Sequence, residues 1–327
     1  MLGSVALGAL AAKLRAGRGI AAKGDIAATA QRLGLSAADA IRIGDDCAAI
    51  PDRDGFLLLA IEGFMNEFVA GDPWFAGWCG IMVNVSDVAA MGGRAIAAVD
   101  AVWAPGEAGA APMLAGVRAA AEIFAVPVVG GHTNLRTERG QLSVAILGRA
   151  KRLLSSFDAR PGDRLITAID LRGRYREPFS NWEAATQAPP TRLRADLELL
   201  PAIAEAGLAQ AAKDISQGGI VGTAMMLAEC SGVGATIDVT RVPKPEGVPL
   251  ERWLPTFPSY GFLLAVADAN RSEVLARFAE RGIAAADIGM ITADHRVVIR
   301  DGEDTEAIWD FARASLMGCA PAAEMIA

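Results

Sequence analysis

The pattern of apolar and polar residues along the chain predicts helices and strands in mixed order. Within the first 40 residues, single charged residues interrupt runs of Ala and Leu at helical spacing, which indicates a helical segment. Residues 74–90 and 108–124 are long apolar stretches that predict two further helices, and Gly92-Gly93 should end the first of them. The other predicted helices are 193–206, 220–229 and 271–281.

Short apolar runs bounded by turn residues predict the strands. Residues 56–61 follow a tight turn at 52–55 and predict a buried strand. Strands and helices do not alternate strictly along the chain, and this favours a layered α+β structure over a doubly wound sheet. The other predicted strands are 95–103, 127–131, 141–150, 164–169, 234–239 and 261–266.

The length of 327 residues is large for one core and comfortable for two domains. The turn-forming run ARPGD at 159–163 precedes a predicted strand, so we place the boundary near residue 155. The expected domains are therefore 1–154 and 155–327. Residues 171–201 form an irregular, Arg- and Pro-rich segment that is too long for an ordinary connection.

Composition and charge exclude several classes of protein. Hydrophobic residues make up 52% of the chain and charged residues 21%, so a large core can be buried. The net charge of −7 argues against a surface that binds nucleic acid through its phosphates. The longest uncharged run, residues 253–267, contains two prolines and is too short to span a membrane.

The N-terminus lacks a basic region before its apolar stretch, which favours an amphipathic helix over a signal peptide. We therefore expect a cytoplasmic protein without a membrane partner. The four cysteines and two histidines are isolated in the sequence, whereas a structural zinc site needs clustered ligands. Isolated cysteines are also typical of a reducing compartment.

Two adjacent acids, Asp45 and Asp46, lie in the run GDDCAAI at 44–50. Apolar residues flank them, and paired carboxylates near a core are costly unless a cation or hydrogen-bond donors neutralise them. Mg²⁺ takes oxygen ligands and bridges phosphates, so this pair suits it. The alternative is an Asp-rich turn whose side chains face water.

A third acid, Asp87, lies in the run NVSDVAAMGG at 84–93. Asn84 and Asp87 are three residues apart, so they share one face of a helix that is otherwise apolar. A buried acid on such a helix needs a partner. The alternative is that Asp87 caps neighbouring backbone groups.

A pair of glycines, Gly130 and Gly131, follows an apolar run within VVGGHT at 128–133. Glycines at the end of a strand let a phosphate approach the backbone, and Thr133 can contact that phosphate or cap a helix. For His132 the alternative to a catalytic role is a hydrogen-bonded structural histidine.

The run DISQGGI at 214–220 places Asp214 between a predicted strand and a predicted helix. An acid at such a turn suits a metal or a phosphate site. The alternative is that Asp214 or Ser216 caps the helix.

Together, GDD, NVSDVAAMGG, GGHT, ARPGD and DISQGG, in this order, resemble the ATP-binding superfamily of aminoimidazole-ribonucleotide (AIR) synthetase. This superfamily includes thiamine-monophosphate kinase, selenophosphate synthetase and the hydrogenase-maturation dehydratases. The resemblance extends from Arg42 to about Ile299. The runs LAIEGF, DPWFAG and KDISQGGIVGTAMMLAECSGVGA are similar to an AIR-synthase-related family within it.

The resemblance implies a two-domain α+β fold. In this fold the sheet of the N-terminal mixed α/β domain pairs in a homodimer, and the C-terminal domain is an α/β sandwich. It implies that Asp46 and Asp87 bind Mg²⁺ with support from Asp45, and that Asp214 completes the metal shell from the second domain. It also implies that Gly130, Gly131 and His132 reach the phosphates of a nucleotide bound by the partner subunit.

The resemblance further implies ATP as a cofactor. The implied nucleotide-binding residues are Asp45, Glu62, Asn84, Asp87, Gly130, Gly131, His132 and Thr133. No general base is evident, and the candidates for catalytic residues are Lys23, Glu62 and His132.

Three departures from the pattern of the superfamily limit what it implies about the reaction. Glu62 stands where an Asp is usual, and Gln217 replaces an acid of the kinase pattern, which disfavours thiamine-monophosphate phosphorylation. The segment 17–19 has no cysteine where selenophosphate synthetase has its reactive residue, which disfavours selenide activation.

The expected activity is phosphoryl transfer from Mg·ATP to a small metabolite. A non-catalytic nucleotide-binding subunit of a partner enzyme is the alternative, and a scaffold without nucleotide fits the acids poorly. Residues 171–194 suggest a lid that captures an anionic substrate, against the alternative of a solvated loop. The side chains considered for this lid are Arg172, Arg174, Arg176, Arg192, Arg194 and Trp182.

Overall fold

The computed structural model describes residues 4–36 and 38–321 of the chain. Two short 3₁₀ helices, Val239–Arg241 and Asp268–Asn270, accompany the α-helices. The α-helices are α1 Ser4–Arg15, α2 Arg18–Ala21, α3 Gly24–Leu33, α4 Asn66–Gly71, α5 Pro73–Ala90, α6 Gly106–Phe124, α7 Pro190–Leu197, α8 Leu199–Ala206, α9 Gly219–Ser231, α10 Leu250–Trp253 and α11 Arg271–Glu280.

The strands form one five-stranded sheet, one seven-stranded sheet and one short hairpin. They are β1 Ala48–Asp52, β2 Gly55–Gly63, β3 Arg94–Pro105, β4 Val128–Asn134, β5 Arg136–Ala150, β6 Arg164–Ile169, β7 Arg174–Tyr175, β8 Trp182–Glu183, β9 Ala211–Asp214, β10 Gly234–Asp238, β11 Gly261–Val266, β12 Ala284–Thr292, β13 Arg296–Asp301 and β14 Asp304–Asp310.

The chain divides into two compact units, each built around one of the larger sheets. The five-strand unit comprises Asp46–Leu153 and Thr186–Ala202. The seven-strand unit comprises the described residues of Met1–Asp45, Leu154–Ala185 and Ile203–Ala327.

The five-stranded sheet has the order β1-β2-β5-β3-β4, and only β3 and β4 pair in parallel. Helices α5 and α6 cover the face that carries Leu58, Val144 and Ile146, which are buried. Helix α5 can pack tightly on this sheet because Gly80 has no side chain, and a Cβ there would lie 2.7 Å from Val144 Cγ2. The result is an almost completely buried α5.

The seven-stranded sheet has the order β14-β13-β10-β12-β6-β11-β9, in which β10 and β13 are parallel and the other pairs antiparallel. The long helix of this unit, α9, is buried over most of its length. Helix α1 contacts β14, and its apolar positions Leu7, Leu10 and Leu14 are buried in the core of this unit.

The two structural units differ from the predicted domains 1–154 and 155–327 in two segments of the chain. The N-terminal segment to Asp45 belongs to the seven-strand unit, because the apolar stripe of α1 is buried there. Residues 186–202 belong to the five-strand unit, where Arg194 Nη1 donates to Ile123 O at 2.9 Å and Arg94 pairs with Glu198. The break at Leu153 and Leu154 lies close to residue 155.

Most predicted elements have a counterpart in the structure, but some of them differ in extent. The predicted helix 193–206 is divided into two helices, α7 and α8. Strand β4 continues to Asn134, beyond the predicted end at 131, because residues 131–134 stay in register with β3. The segment 171–201 contains the β7-β8 hairpin and α7. Within the described ranges, no helix combines the length and apolar character needed to cross a bilayer.

Candidate functional site

Asp87 lies in the last turn of α5, and the local sequence determines that position. The helix begins after Asp72, whose carboxylate accepts a hydrogen bond from Phe75 N at 3.1 Å, and Pro73 occupies its first position. It ends at Ala90, followed by Gly92 with a φ of +75°. Asp87 is 6% exposed, and the negative end of the helix dipole disfavours its ionised form there. A cation near this carboxylate would offset both costs.

Asp46 of the same unit provides a second carboxylate. One carboxylate oxygen of Asp46 and one of Asp87 lie within 4.8 Å of each other. Opposite ligand oxygens of Mg²⁺ lie about 4.2 Å apart, since each Mg–O bond is about 2.1 Å. The two acids are hard oxygen donors, and a separation of no more than 4.8 Å lets one Mg²⁺ contact both, so the residues fit this ion by chemistry.

Asn84 occupies the same face of α5 as Asp87 and is fully buried. Its Nδ2 donates to Gly80 O at 2.8 Å and to Val144 O at 3.0 Å, which ties the helix to β5. Within the described residues its Oδ1 has no hydrogen-bond partner. The amide therefore holds the helix against the sheet, and the predicted contact of Asn84 with nucleotide stays a prediction.

Asp45 has different surroundings from its neighbour Asp46. In the seven-strand unit its carboxylate accepts hydrogen bonds from Ser155 Oγ at 2.8 Å, Ser156 N at 3.1 Å and Ser156 Oγ at 2.5 Å. These contacts engage both of its carboxylate oxygens. The structure thus gives Asp45 a role in holding the chain just before Asp46, and direct metal binding by Asp45 stays a prediction.

Asp214 lies at the end of β9 in the seven-strand unit and is 4% exposed. Ser259 Oγ donates to its Oδ2 at 3.5 Å. The preceding residue, Lys213, is equally buried and was not among the site residues predicted from the sequence. A lysine directly before the acid of the DISQGG motif was the available signal.

The residues of the GGHT motif lie along β4, an exposed edge strand of the five-strand unit. A side chain at Gly131 would overlap Asp100 on β3, so this position accepts only glycine without movement. Burial raises the pKa of the Asp100 carboxyl above its ordinary value. His132 is exposed, and its ring centroid lies 5.8 Å from that of Trp103.

The three candidate catalytic residues lie on different elements. Lys23 precedes the first residue of α3 in the seven-strand unit. Glu62 lies on β2, opposite Val144 of β5, and His132 lies on β4 of the same unit. Their catalytic roles stay predictions.

The proposed lid needs correction at several of its side chains. Trp182 is 5% exposed, packs edge to face on Trp253 at 5.0 Å between ring centroids, and donates from Nε1 to Asp170 O at 3.0 Å. Its large apolar ring is therefore a core group. Arg172 pairs with Asp170 at 2.7 Å. Arg192 and Arg194 belong to α7, in the five-strand unit.

Two family profiles match the chain. The profile of the AIR synthase related protein N-terminal domain matches residues 44–150, and that of the C-terminal domain matches residues 173–302. An uncharacterised protein of Synechocystis sp. is 47% identical over 290 residues, which cover 88% of this chain and 89% of that protein.

Two further comparisons involve proteins with named activities. A thiamine-monophosphate kinase of Halobacterium salinarum is 29% identical over 80% of this chain and 92% of its own length. The structure of T. maritima PurL complexed with ATP superposes with a TM-score of 0.70 and 20% identity over 84% of this chain. The chain spans about half of that PurL chain, 46%. The superposition shows a shared fold.

Proposed function

Because this chain belongs to the AIR synthase-related family, we propose that it is an ATP- and Mg²⁺-dependent phosphoryl-transfer enzyme. The observation that carries the proposal is the proximity of Asp46 and Asp87, whose carboxylate oxygens lie within 4.8 Å of each other. Two close carboxylates repel each other, and a bound divalent cation removes that cost. Nucleotide binding is supported by the fold shared with PurL, which was solved with ATP.

In the proposed site, Asp46 and Asp87 would hold Mg²⁺, and Asp214 is proposed as a further ligand. The ion would neutralise charge on the transferred phosphoryl group, which is where catalysis of such reactions mainly arises. The exposed backbone of Gly130 and Gly131, with Thr133, is proposed to contact the nucleotide phosphates. Lys23, Glu62 and His132 remain the candidates for contact with the reacting groups.

We infer a small anionic metabolite as the phosphoryl acceptor. The similarity to a thiamine-monophosphate kinase supports a small acceptor, while Gln217 in place of the acid of the kinase pattern argues for a different one. Of the arginines considered for substrate capture, Arg174 lies on the β7-β8 hairpin with an exposed side chain. A guanidinium there suits a carboxylate or a phosphate.

A homodimer is part of the proposal. The face of the five-stranded sheet opposite α5 and α6 exposes apolar side chains, including Leu59, Ile61 and Val99. Such a face is unusual for a lone unit and suits a second copy of the same surface. The exposed edge strand β4 lies in the same sheet and would gain protection from a partner.

The proposed function is tested by binding and turnover of ATP. Mg·ATP at about 100 times its dissociation constant should stabilise the protein by about 2.7 kcal/mol, whereas ATP with EDTA should do so much less. ATP hydrolysis should then be measured against a panel of small carboxylates and phosphates. Binding without stimulated turnover would favour the alternative of a non-catalytic nucleotide-binding subunit, and absence of binding would refute the proposal.

A further inference from the structure

A buried ammonium group lies directly beside the DISQGG motif. Lys213, in β9, is 3% exposed. Its Nζ donates to Gly44 O at 3.2 Å and to Ser156 Oγ at 3.3 Å. A buried charge is costly unless it is paired and hydrogen-bonded, so retaining a lysine at this position requires a compensating contact.

Ser156 connects this ammonium to the carboxylate of Asp45. Its Oγ accepts from Lys213 Nζ and donates to Asp45 Oδ1, and its backbone N also donates to Asp45. The hydroxyl thus lies between a cation and an anion within one unit. These hydrogen bonds contribute to that compensation, and they end on the backbone of Gly44 and the side chain of Asp45, the two residues that precede Asp46.

The backbone at Gly44 is held from several sides. Its carbonyl accepts from Lys213 Nζ and from Cys230 Sγ, the latter at 3.4 Å. Its φ is +114°, a conformation that glycine adopts easily. A Cβ at this position would lie 2.7 Å from Cys319 Cβ and 2.8 Å from Cys230 Sγ. The segment before Asp46 therefore has little space in which to shift unless these contacts break.

We propose that Lys213 is a positioning residue for the metal site. Its side chain fixes Gly44 and, through Ser156, Asp45, and the next residue is the proposed ligand Asp46. Its backbone continues directly into Asp214, another proposed ligand. One buried ammonium therefore connects the segment that precedes Asp46 with the strand that ends at Asp214. The inference deepens the proposed function and rests on it.

The proposed role of the ammonium is to hold the protein segment that carries the metal ligands, and it does not include contact with the nucleotide. Lys213 is almost fully buried, and its contacts with Gly44 O and Ser156 Oγ direct it toward the segment at 44–45. Replacing a group that orients a metal ligand without itself binding the metal typically weakens metal binding about 10- to 100-fold. Loss of the Lys213 side chain should therefore weaken Mg²⁺ binding within that range.

The test compares Lys213→Met with Lys213→Arg by titrating Mg²⁺ calorimetrically into protein saturated with a nonhydrolysable ATP analogue. The methionine variant should bind Mg²⁺ about 10- to 100-fold more weakly, and the arginine variant should recover part of the loss. All titrations are run well below the unfolding temperature of each metal-free variant, so a general loss of stability would leave the affinity unchanged. The control is Lys244→Met, which removes an exposed lysine bound to Val248 O and should leave the affinity unchanged.

Ser156→Ala provides a second measurement in case Lys213→Met does not fold. This variant removes only the hydroxyl between Lys213 and Asp45, and it should weaken Mg²⁺ binding in the same direction by a smaller factor. Wild-type affinity in Lys213→Met, or in Ser156→Ala when the first variant does not fold, would overturn the positioning role and leave the proposed function intact. A wild-type protein that binds neither Mg²⁺ nor the analogue would overturn both.

Discussion

Met317 N donates a hydrogen bond of 2.7 Å to the carboxylate of Glu229, a residue of α9 that is 1% exposed. Leu316 N and Gly318 N donate to the other oxygen of the same carboxylate, at 2.9 and 3.2 Å. Gly318 has a φ of +73°, and this turn lets successive backbone amides converge on one anion. The last described part of the chain is thereby attached to the helix that follows the Asp214 motif.

Glu229→Gln should lower the free energy of unfolding by about 2–3 kcal/mol. Glutamine offers a single acceptor oxygen, and its NH₂ group would face backbone N–H groups that also donate. Urea unfolding measures the loss, and limited proteolysis should cleave the variant first near residues 316–318. Glu246→Gln is the control, because Glu246 is exposed and its replacement should change stability by less than about 0.5 kcal/mol. Equal stability of the two variants would contradict this role of Glu229.

Asp87→Asn should remove most of the stabilisation that Mg²⁺ adds to the nucleotide complex. Without metal, the variant should be as stable as the wild type or more stable, because one of two close carboxylates has lost its charge. Melting temperatures with Mg·ATP and with ATP plus EDTA separate the two effects. Glu303→Gln, at an exposed turn, should behave like the wild type. A full metal-dependent shift in Asp87→Asn would exclude Asp87 as a ligand.

Asp100→Asn should change how stability depends on pH. Burial raises the pKa of Asp100 in the folded protein above 3.8, its ordinary value. The contribution of this group to stability is therefore complete below 3.8 and is lost as pH rises through the raised folded pKa. The difference in unfolding free energy, variant minus wild type, should become more positive across that window. A constant difference between about pH 3 and pH 7 would show that Asp100 ionises normally.

The elements that local patterns specify could be predicted from the sequence. Helices α5 and α6 carry long apolar stretches with glycine or a turn at the end, and each was expected within a few residues. Local patterns do not show which segments that are distant in the chain pack against each other. Helix α1 looks like any amphipathic helix in the sequence, and only the tertiary structure shows that β14 is its partner.

Asp45 and Asp46 show the same limit of local sequence patterns at the candidate site. The sequence GDD predicts a paired-carboxylate site, but the two side chains meet different surroundings. Asp45 accepts hydrogen bonds from Ser155 and Ser156, more than 100 residues away, whereas Asp46 lies near Asp87. The sequence did not indicate Lys213 as a site residue, because lysine is usually exposed. Its burial depends on contacts with Gly44 and Ser156, which are distant in the chain and leave no local pattern.

Ile61→Glu should convert the proposed homodimer into a monomer. The Ile61 side chain is 69% exposed on the uncovered face of the five-stranded sheet, near the exposed Leu59 of the same strand. If a second copy covers this face, a carboxylate there would be buried without a partner, which costs several kcal/mol. If solvent covers it, the charge costs almost nothing. Light scattering coupled to size-exclusion chromatography should therefore give half the wild-type mass for the variant.

The matched control is Leu114→Glu, which places the same charge on an exposed apolar position of α6 in the same unit. This variant should keep the wild-type mass, because α6 lies on the opposite side of the sheet. A monomeric wild type, or a dimeric Ile61→Glu variant with normal circular dichroism, would contradict the proposed interface. Since the GGHT strand β4 belongs to the same sheet, a monomeric variant that also lost nucleotide binding would indicate that the partner contributes to the nucleotide site.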